Sequence, residues 1–243
     1  MLIRWAEMYA NTEILSPMDQ ETWKIIAEVS KLDGSSRVLE LASGKGAFAT
    51  HLAENYRYRV DGFDINPEFI EYSTNRSRQL GLDSKVKLTL GDAQQLHLPS
   101  AAYDLGACLG ALYIFTEPAW QQLSQSVRTG GSVAVSDMVC RKLPPPKEIG
   151  IFFEEPGEPP TLETARDWYK TRGMRIVREV ECSQQAWMEY YDLQGEILMQ
   201  ISQRPDVNRE LLNEVQRERT EEGLDRKYSE EYMNYVTFIM RKL

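Results

Sequence analysis

Glu40, the glycines Gly44 and Gly46, and Asp64, 20 positions after Gly44, have the types and spacing to hold a nucleotide-like cofactor. Glycines remove side chains where a backbone turns tightly and a ligand comes close. Amides at the start of the following helix add donors and the positive end of a dipole. Gly44-Lys45-Gly46-Ala47-Phe48-Ala49 satisfies G-x-G-x-x-A, and with Asp64 at the ribose position it imitates a dinucleotide fingerprint. Taken alone, that motif is weak. In the fingerprint the strand runs straight into the first glycine, whereas here Glu40-Leu41-Ala42-Ser43 intervene. A carboxylate near the end of a buried strand is costly unless a cation or a donor meets it. A ligand ammonium would stabilise Glu40, and a pyrophosphate would be repelled.

The elements that must position these residues alternate. Strands are predicted over Arg37–Leu41, Arg59–Phe63, Lys85–Leu90, Tyr103–Leu109 and Ser132–Ser136. Helices are predicted over Gly46–Asn55, from Asn66-Pro67 to Leu80, and after Glu117-Pro118. Such alternation indicates βαβ units and a parallel sheet with right-handed crossovers. Ligands bind at the carboxyl edge of such a sheet, where Glu40, Asp64, Asp92 and Leu109-Gly110 all fall.

Elements on either side of this core complete the chain. Leu2, Trp5, Met8 and Tyr9 predict a short amphipathic helix over Met1–Asn11, packed on the core or lying over the site mouth. Ser16-Pro17-Met18-Asp19 offers a cap for a helix over Met18–Ser30. A proline-rich acidic connection from Leu143 to Pro160 is long enough to wrap over a site. Thr161 caps a helix to Arg172, and a sixth strand spans Met174–Cys182. Two helical stretches follow, Gln184–Ser202 and Asp206–Glu222, split by Arg204-Pro205. The first carries Trp187, Tyr190 and Tyr191 on an aromatic face. The second is laced with Glu214/Arg217 and Arg217/Glu221 pairs and reads as a solvated face. Tyr232–Leu243 reads as a last strand.

The segment Val38-Leu39-Glu40-Leu41-Ala42-Ser43-Gly44-Lys45-Gly46 resembles motif I of the class I S-adenosylmethionine-dependent methyltransferases. The likeness runs from Arg37 to Asp137. It takes in Val60-Asp61-Gly62-Phe63-Asp64-Ile65, Leu90-Gly91-Asp92-Ala93 and Tyr103-Asp104-Leu105-Gly106-Ala107-Cys108-Leu109. Four motifs in order are far more specific than one glycine turn. The resemblance implies an α/β fold, a Rossmann-like seven-stranded, mostly parallel sheet with the last strand antiparallel. Helices cover both faces, and a helical insertion separates strands six and seven. It implies one methyltransferase domain over 1–243: a helical cap (1–36), a core (37–182 and 228–243) and an insertion or lid (183–227).

The cofactor implied is S-adenosylmethionine. Ala42, Ser43, Gly44 and Gly46 would line its methionine part, with Glu40 near the amino group. Asp64 would bridge the ribose hydroxyls and Ile65 would pack on adenine. Asp92 would accept from the adenine amino group, the Ala93 amide would face the ring, and Leu109-Gly110 would pass beneath the methionine. Ala42 stands where the family pattern has its first glycine, an alanine that a negative backbone angle would accommodate.

A sulfonium is an activated methyl donor, so the protein needs mainly in-line placement, exclusion of water and a general base at most. The candidates for that base are Tyr113, which reads first as a pocket wall, and Asp137. No Asn-Pro-Pro-Tyr or Asp-Pro-Pro-Tyr follows strand four, and no Pro-Cys or Thr-Cys nucleophile pair stands there. A formal net charge of −9 disfavours a grip on nucleic acid, so a small-molecule acceptor is expected. An NAD-dependent oxidoreductase and a non-catalytic S-adenosylmethionine-binding protein are the alternatives.

Lys45 reads as a solvated residue, and the lone His51 and His97 imply no metal. Three cysteines without CxxC spacing suit a reducing compartment. With no apolar run of roughly 18–20 residues and no signal-like N-terminus, no membrane association is expected and a cytoplasmic location follows.

Overall fold

The computed structural model describes residues 3–111, 117–148 and 160–243. Among them, the strands are β1 (Arg37–Leu41), β2 (Arg59–Asp64), β3 (Val86–Leu90), β4 (Tyr103–Cys108), β5 (Val127–Cys140), β6 (Met174–Glu181) and β7 (Met233–Lys242). They form one sheet in the order β3-β2-β1-β4-β5-β7-β6. All pairings are parallel except the two that β7 makes, with β5 and with β6. This is the expected Rossmann-like sheet, with the last strand inserted between the fifth and sixth. The strand order reverses between β1 and β4, the place where an open α/β sheet leaves a crevice at its carboxyl edge.

Period-two alternation sorts the strand residues onto two cores. Val38, Val60, Leu105, Ala134 and Ile239 belong to one apolar cluster. Leu39, Leu41, Val133, Val135 and Phe238 belong to the other, on the opposite face. Helices α2 (Gln20–Ser30) and α3 (Ala47–Tyr56) contribute Trp23, Ile26, Phe48 and Leu52 to the first. Helices α5 (Glu117–Ser126) and α6 (Leu162–Thr171) contribute Trp120, Leu123 and Tyr169 to the second. Glu40 shares the parity of Val38, so its side chain points to the α3 face of the sheet.

The remaining helices are α1 (Trp5–Met8), α4 (Pro67–Gln79), α7 (Gln184–Ser202) and α8 (Arg209–Tyr228). Asn66 caps α4 by accepting from the Glu68 amide, and Thr161 caps α6 through the Thr164 amide. Several boundaries differ from expectation: β5 runs Val127–Cys140 where Ser132–Ser136 was predicted, and α1 is only Trp5–Met8. Helix α2 starts at Gln20 because the Asp19 carboxylate accepts from the Thr22 amide at 2.9 Å and so takes the cap. Helix α8 begins after the Asn208 cap and continues to Tyr228, because nothing in Gly223-Leu224-Asp225-Arg226 interrupts its hydrogen bonding. A glycine inside a helix is tolerated where the flanking residues are good helix formers.

Candidate active site

One cavity of about 1330 Å³ runs from the carboxyl ends of β1, β2 and β4 to helices α6, α7 and α8. A pocket for one small ligand measures roughly 300–1,000 Å³, and this larger space has room for two partners. At the sheet end the wall includes Ala42, Gly44, Asp64, Ile65, Leu109 and Gly110, joined by Asp92 and Ala93 after β3. Eight residues expected to meet a cofactor therefore line one space.

Asp64 ends β2 and joins two loops. Its Oδ2 accepts from the Gly44 amide at 2.7 Å and its Oδ1 from the Asn66 amide at 2.8 Å. Burial raises its pKa, and those amide bonds oppose the rise. Each carboxylate oxygen keeps a second lone pair for a hydroxyl from the cavity. Beside it, Ile65 is 69% exposed, an apolar surface with no protein neighbour to cover it. Asp92 accepts from the Gln94 amide and from Gln95 Nε2, which holds its loop against the cavity wall.

Glu40, Ser43 and Gly46 do not line the cavity. Glu40 lies beneath the turn, only 4% exposed, with the Ala49 amide as a donor and Oε2 without a partner. Burial, reinforced by the Asp64 charge, pushes its pKa up to about 8. The Gly46 amide is spent on the Ser43 carbonyl at 2.8 Å, and a Cβ at Gly46 would strike Leu88 Cδ1 at 2.9 Å. That glycine serves packing. The amides of both glycines of the turn, Gly44 and Gly46, are thus taken up within the protein.

Ala42 is the unexpected residue of the turn. Its φ is +54°, so the backbone is left-handed although the side chain is a methyl. The negative angle expected from its chemistry is absent, because the turn from β1 to Gly44 imposes the geometry that a glycine would adopt freely. Ala42→Gly should therefore stabilise the protein by about 0.5–1 kcal/mol after its greater unfolded-state entropy is counted. Urea denaturation measures this; a destabilised variant would show that the alanine is unstrained.

Lys45, expected in solvent, is buried. Its Nζ donates to the carbonyls of Tyr9 at 2.5 Å and Thr12 at 2.9 Å, tying the N-terminal segment onto the cofactor turn. That segment presses close enough to require glycine at two positions. A Cβ on Gly44 would meet Leu15 Cδ1 at 2.5 Å, and one on Gly110 would meet Ser16 Cβ at 2.5 Å. Trp5 and Tyr9, stacked at 5.8 Å, line the cavity from the same segment.

The far wall is aromatic and acidic. Trp187, Tyr190 and Tyr191 of α7 line it, with Tyr235 of β7 edge-on to Trp187 at 6.1 Å. These aromatics also pack on the core. Asp137, late in β5, lines the cavity and accepts from the Tyr169 hydroxyl at 3.3 Å. Burial pushes its pKa up to about 7. Tyr113, the other candidate base, lies outside the described residues.

Helix α8 was expected to show a solvated face. The expected Arg217 pairs with Glu214 and Glu221 are present, yet Glu218, Glu221, Glu222 and Asp225 also line the cavity. Their spacing of 3, 4 and 7 from Glu218 is that of one helix face. The signal was present in the sequence, carried by carboxylates where an apolar stripe is usually sought.

A methyltransferase-domain family model matches residues 38–131, the segment that holds the turn, Asp64, Asp92 and Leu109-Gly110. Over that segment the chain is similar to methyltransferase domains. It is 25% identical to the uncharacterised protein YjhP of Escherichia coli (strain K12) over 181 residues, 73% of each chain. It is 23% identical to ajmaline N-methyltransferase of Rauvolfia serpentina over 152 residues, 62% of this chain but only 46% of that enzyme. Its fold matches an S-adenosylmethionine-dependent methyltransferase of Geobacter sulfurreducens solved with S-adenosylhomocysteine. That match has a TM-score of 0.86 at 22% identity and covers 98% of this chain and 97% of that one.

S-Adenosylhomocysteine, bound in that structure, is the demethylated form of S-adenosylmethionine, against which the donor set here can be tested. The donor set fits it: an acid with spare lone pairs for a ribose, an uncovered isoleucine for a flat base, and a buried carboxyl at Glu40 that a cation would stabilise. For a pyrophosphate the two glycine amides are already taken, and the carboxylates of Glu40 and Asp64 stand close by.

Proposed function

We propose that this chain transfers a methyl group to a small molecule bound between the cofactor edge and helices α6, α7 and α8. The cavity carries the reading: it is continuous from Asp64 and Gly110 to the aromatic wall, and it is deep enough for two ligands. When bound, the cofactor supplies an activated methyl group on a sulfonium. Asp64, Ile65, Asp92, Ala93, Leu109 and Gly110 hold and orient it, with Ala42 and Gly44 at the methionine end and Glu40 behind the turn. The N-terminal segment and the aromatic wall exclude water, which would otherwise compete for the methyl group. Asp137, whose pKa lies near neutrality, takes a proton from an acceptor that must lose one.

The whole of 1–243 acts as one domain in this reading, with 183–227 as the lid over the acceptor. A small acceptor suits an enclosed space and a chain of net charge −9, and ajmaline N-methyltransferase is a relative named for a small acceptor. Among the described residues no helix is long and apolar enough to cross a membrane. Three free thiols suit a cytoplasmic location.

Calorimetry with S-adenosylmethionine, S-adenosylhomocysteine and NAD tests the cofactor, and labelled methyl transfer into a metabolite extract tests turnover. Trp187→Phe tests the lid. It keeps most of the packing, and it should raise the acceptor KM about three- to tenfold while leaving cofactor affinity unchanged. Unchanged acceptor kinetics would remove the lid from the account.

A further inference from the structure

We infer that the acceptor carries a cationic amine, recognised by the carboxylate face of α8 and the aromatic side chains of α7. This rests on the small-molecule reading above and names the chemistry of the acceptor.

The charge of the wall comes first. Away from the cofactor edge, Asp137, Glu163, Glu218, Glu221, Glu222 and Asp225 line the cavity. Among the described residues no lysine, arginine or histidine lines it. Residues 1–2, 112–116 and 149–159 contain none either. Two arginines stand behind the acids: Arg217 near Glu218 and Glu221 at 2.9 and 3.9 Å, and Arg226 at 2.8 Å from both Glu222 and Asp192. They leave the wall net negative. A carboxylate or phosphate on the acceptor would enter against like charge with no cationic partner.

The second observation is a carboxylate with an open position. Asp225 is only 7% exposed, and it lines the cavity. One oxygen accepts a close hydrogen bond from the Tyr191 hydroxyl, and Oδ1 has no partner. A buried carboxylate oxygen with no donor is expensive, and a ligand N–H or an alkylammonium supplies what is missing. Asp137 presents a second such oxygen, with Oδ1 unpartnered.

The aromatics supply the remaining component. Tyr191 joins Tyr190 at 5.2 Å and Trp187 at 6.3 Å, and Trp187 joins Tyr235 at 6.1 Å. Rings clustered beside carboxylates attract cations through their negative faces, and they cover the hydrocarbon part of the ligand. Acids alone would suit a hydrated metal ion as well. Acids among tyrosine and tryptophan rings suit an organic cation.

The test titrates the full chain, with and without S-adenosylhomocysteine, with three probes of related shape: 2-phenylethylammonium, 2-phenylethanol and phenylacetate. The cation should bind at least about tenfold more tightly than either of the others. Asp225→Asn, nearly isosteric, should weaken 2-phenylethylammonium about tenfold and leave 2-phenylethanol and S-adenosylhomocysteine unchanged. Glu221→Gln, at a more exposed position, should weaken the cation in the same direction if Asp225→Asn folds poorly. Equal binding of the three probes, preference for phenylacetate, or cation affinity indifferent to both substitutions would overturn the inference. Failure of S-adenosylhomocysteine to bind would instead strike at the methyltransferase reading, and the titrations without it would still report on the cation.

Discussion

Asp64→Ala should abolish useful cofactor binding and destabilise the protein at once. Its carboxylate accepts from the amides of Gly44 and Asn66, which tie the glycine turn to the loop after β2. The Gly44 amide is buried, and a buried amide left without an acceptor costs about 1–3 kcal/mol. With the Asn66 bond lost as well, the free protein should lose on the order of 2–4 kcal/mol. Cofactor affinity should fall at least about a hundredfold, the value of two hydrogen bonds to a charged acceptor. Scanning calorimetry of the free protein and titration with S-adenosylhomocysteine separate the two losses. A folded Asp64→Ala protein with unchanged affinity would remove Asp64 from the cofactor site.

Glu40→Gln should act in opposite directions on the free and loaded protein. Burial and the Asp64 charge push the Glu40 pKa up to about 8, from 4.5 in the unfolded chain. The folded state therefore holds a proton that the unfolded state releases between these values. The stability linked to it is complete below about 4.5 and is lost as pH rises through about 8. Near pH 7 the loss is on the order of 3 kcal/mol. Glutamine does not titrate, so the variant should melt higher than the parent near pH 8 and differ less near pH 5.

A residual slope should persist in the variant, because burial also raises Asp137 and Asp225 to about 7. In the loaded protein the sign reverses. A cationic ligand stabilises the Glu40 carboxylate and gains less from an amide, so cofactor affinity should fall in the variant that is more stable empty. Melting of the free protein between pH 5 and 8.5 checks the first half, and superimposable profiles would refute it. Calorimetry checks the second.

Much of the sheet was legible because its signals are local. β1 reads as five residues with four of them buried, and its turn, its helix and Asp64 all fall within one βαβ unit. The carboxyl edge then follows from the handedness of the crossovers, which collects Asp64, Asp92 and Leu109-Gly110 without any long-range information. The Thr161 and Asn66 caps were equally visible, since a cap needs only its own three following residues.

Other features depended on contacts between distant segments. Lys45 read as solvated because nothing near it in sequence could bury it; the carbonyls of Tyr9 and Thr12, more than 30 positions away, do so. Ala42 takes a left-handed backbone because the turn demands it, an outcome no propensity of alanine suggests. Glu40 was singled out for its type, and strand parity sends it behind the turn and not into the cavity.

By itself, then, the sequence determined the cofactor edge: a sheet whose order, turn and acids are set by short-range patterns, each confined to one strand and the loop after it. The tertiary structure alone decided the acceptor wall. Helix α8 has few apolar residues with which to choose a face, so the spacing of Glu218, Glu221, Glu222 and Asp225 could equally have met water. Packing of α8 against α7, with the Tyr191 hydroxyl donating to Asp225, turns that face inward, and burial makes its carboxylates a site.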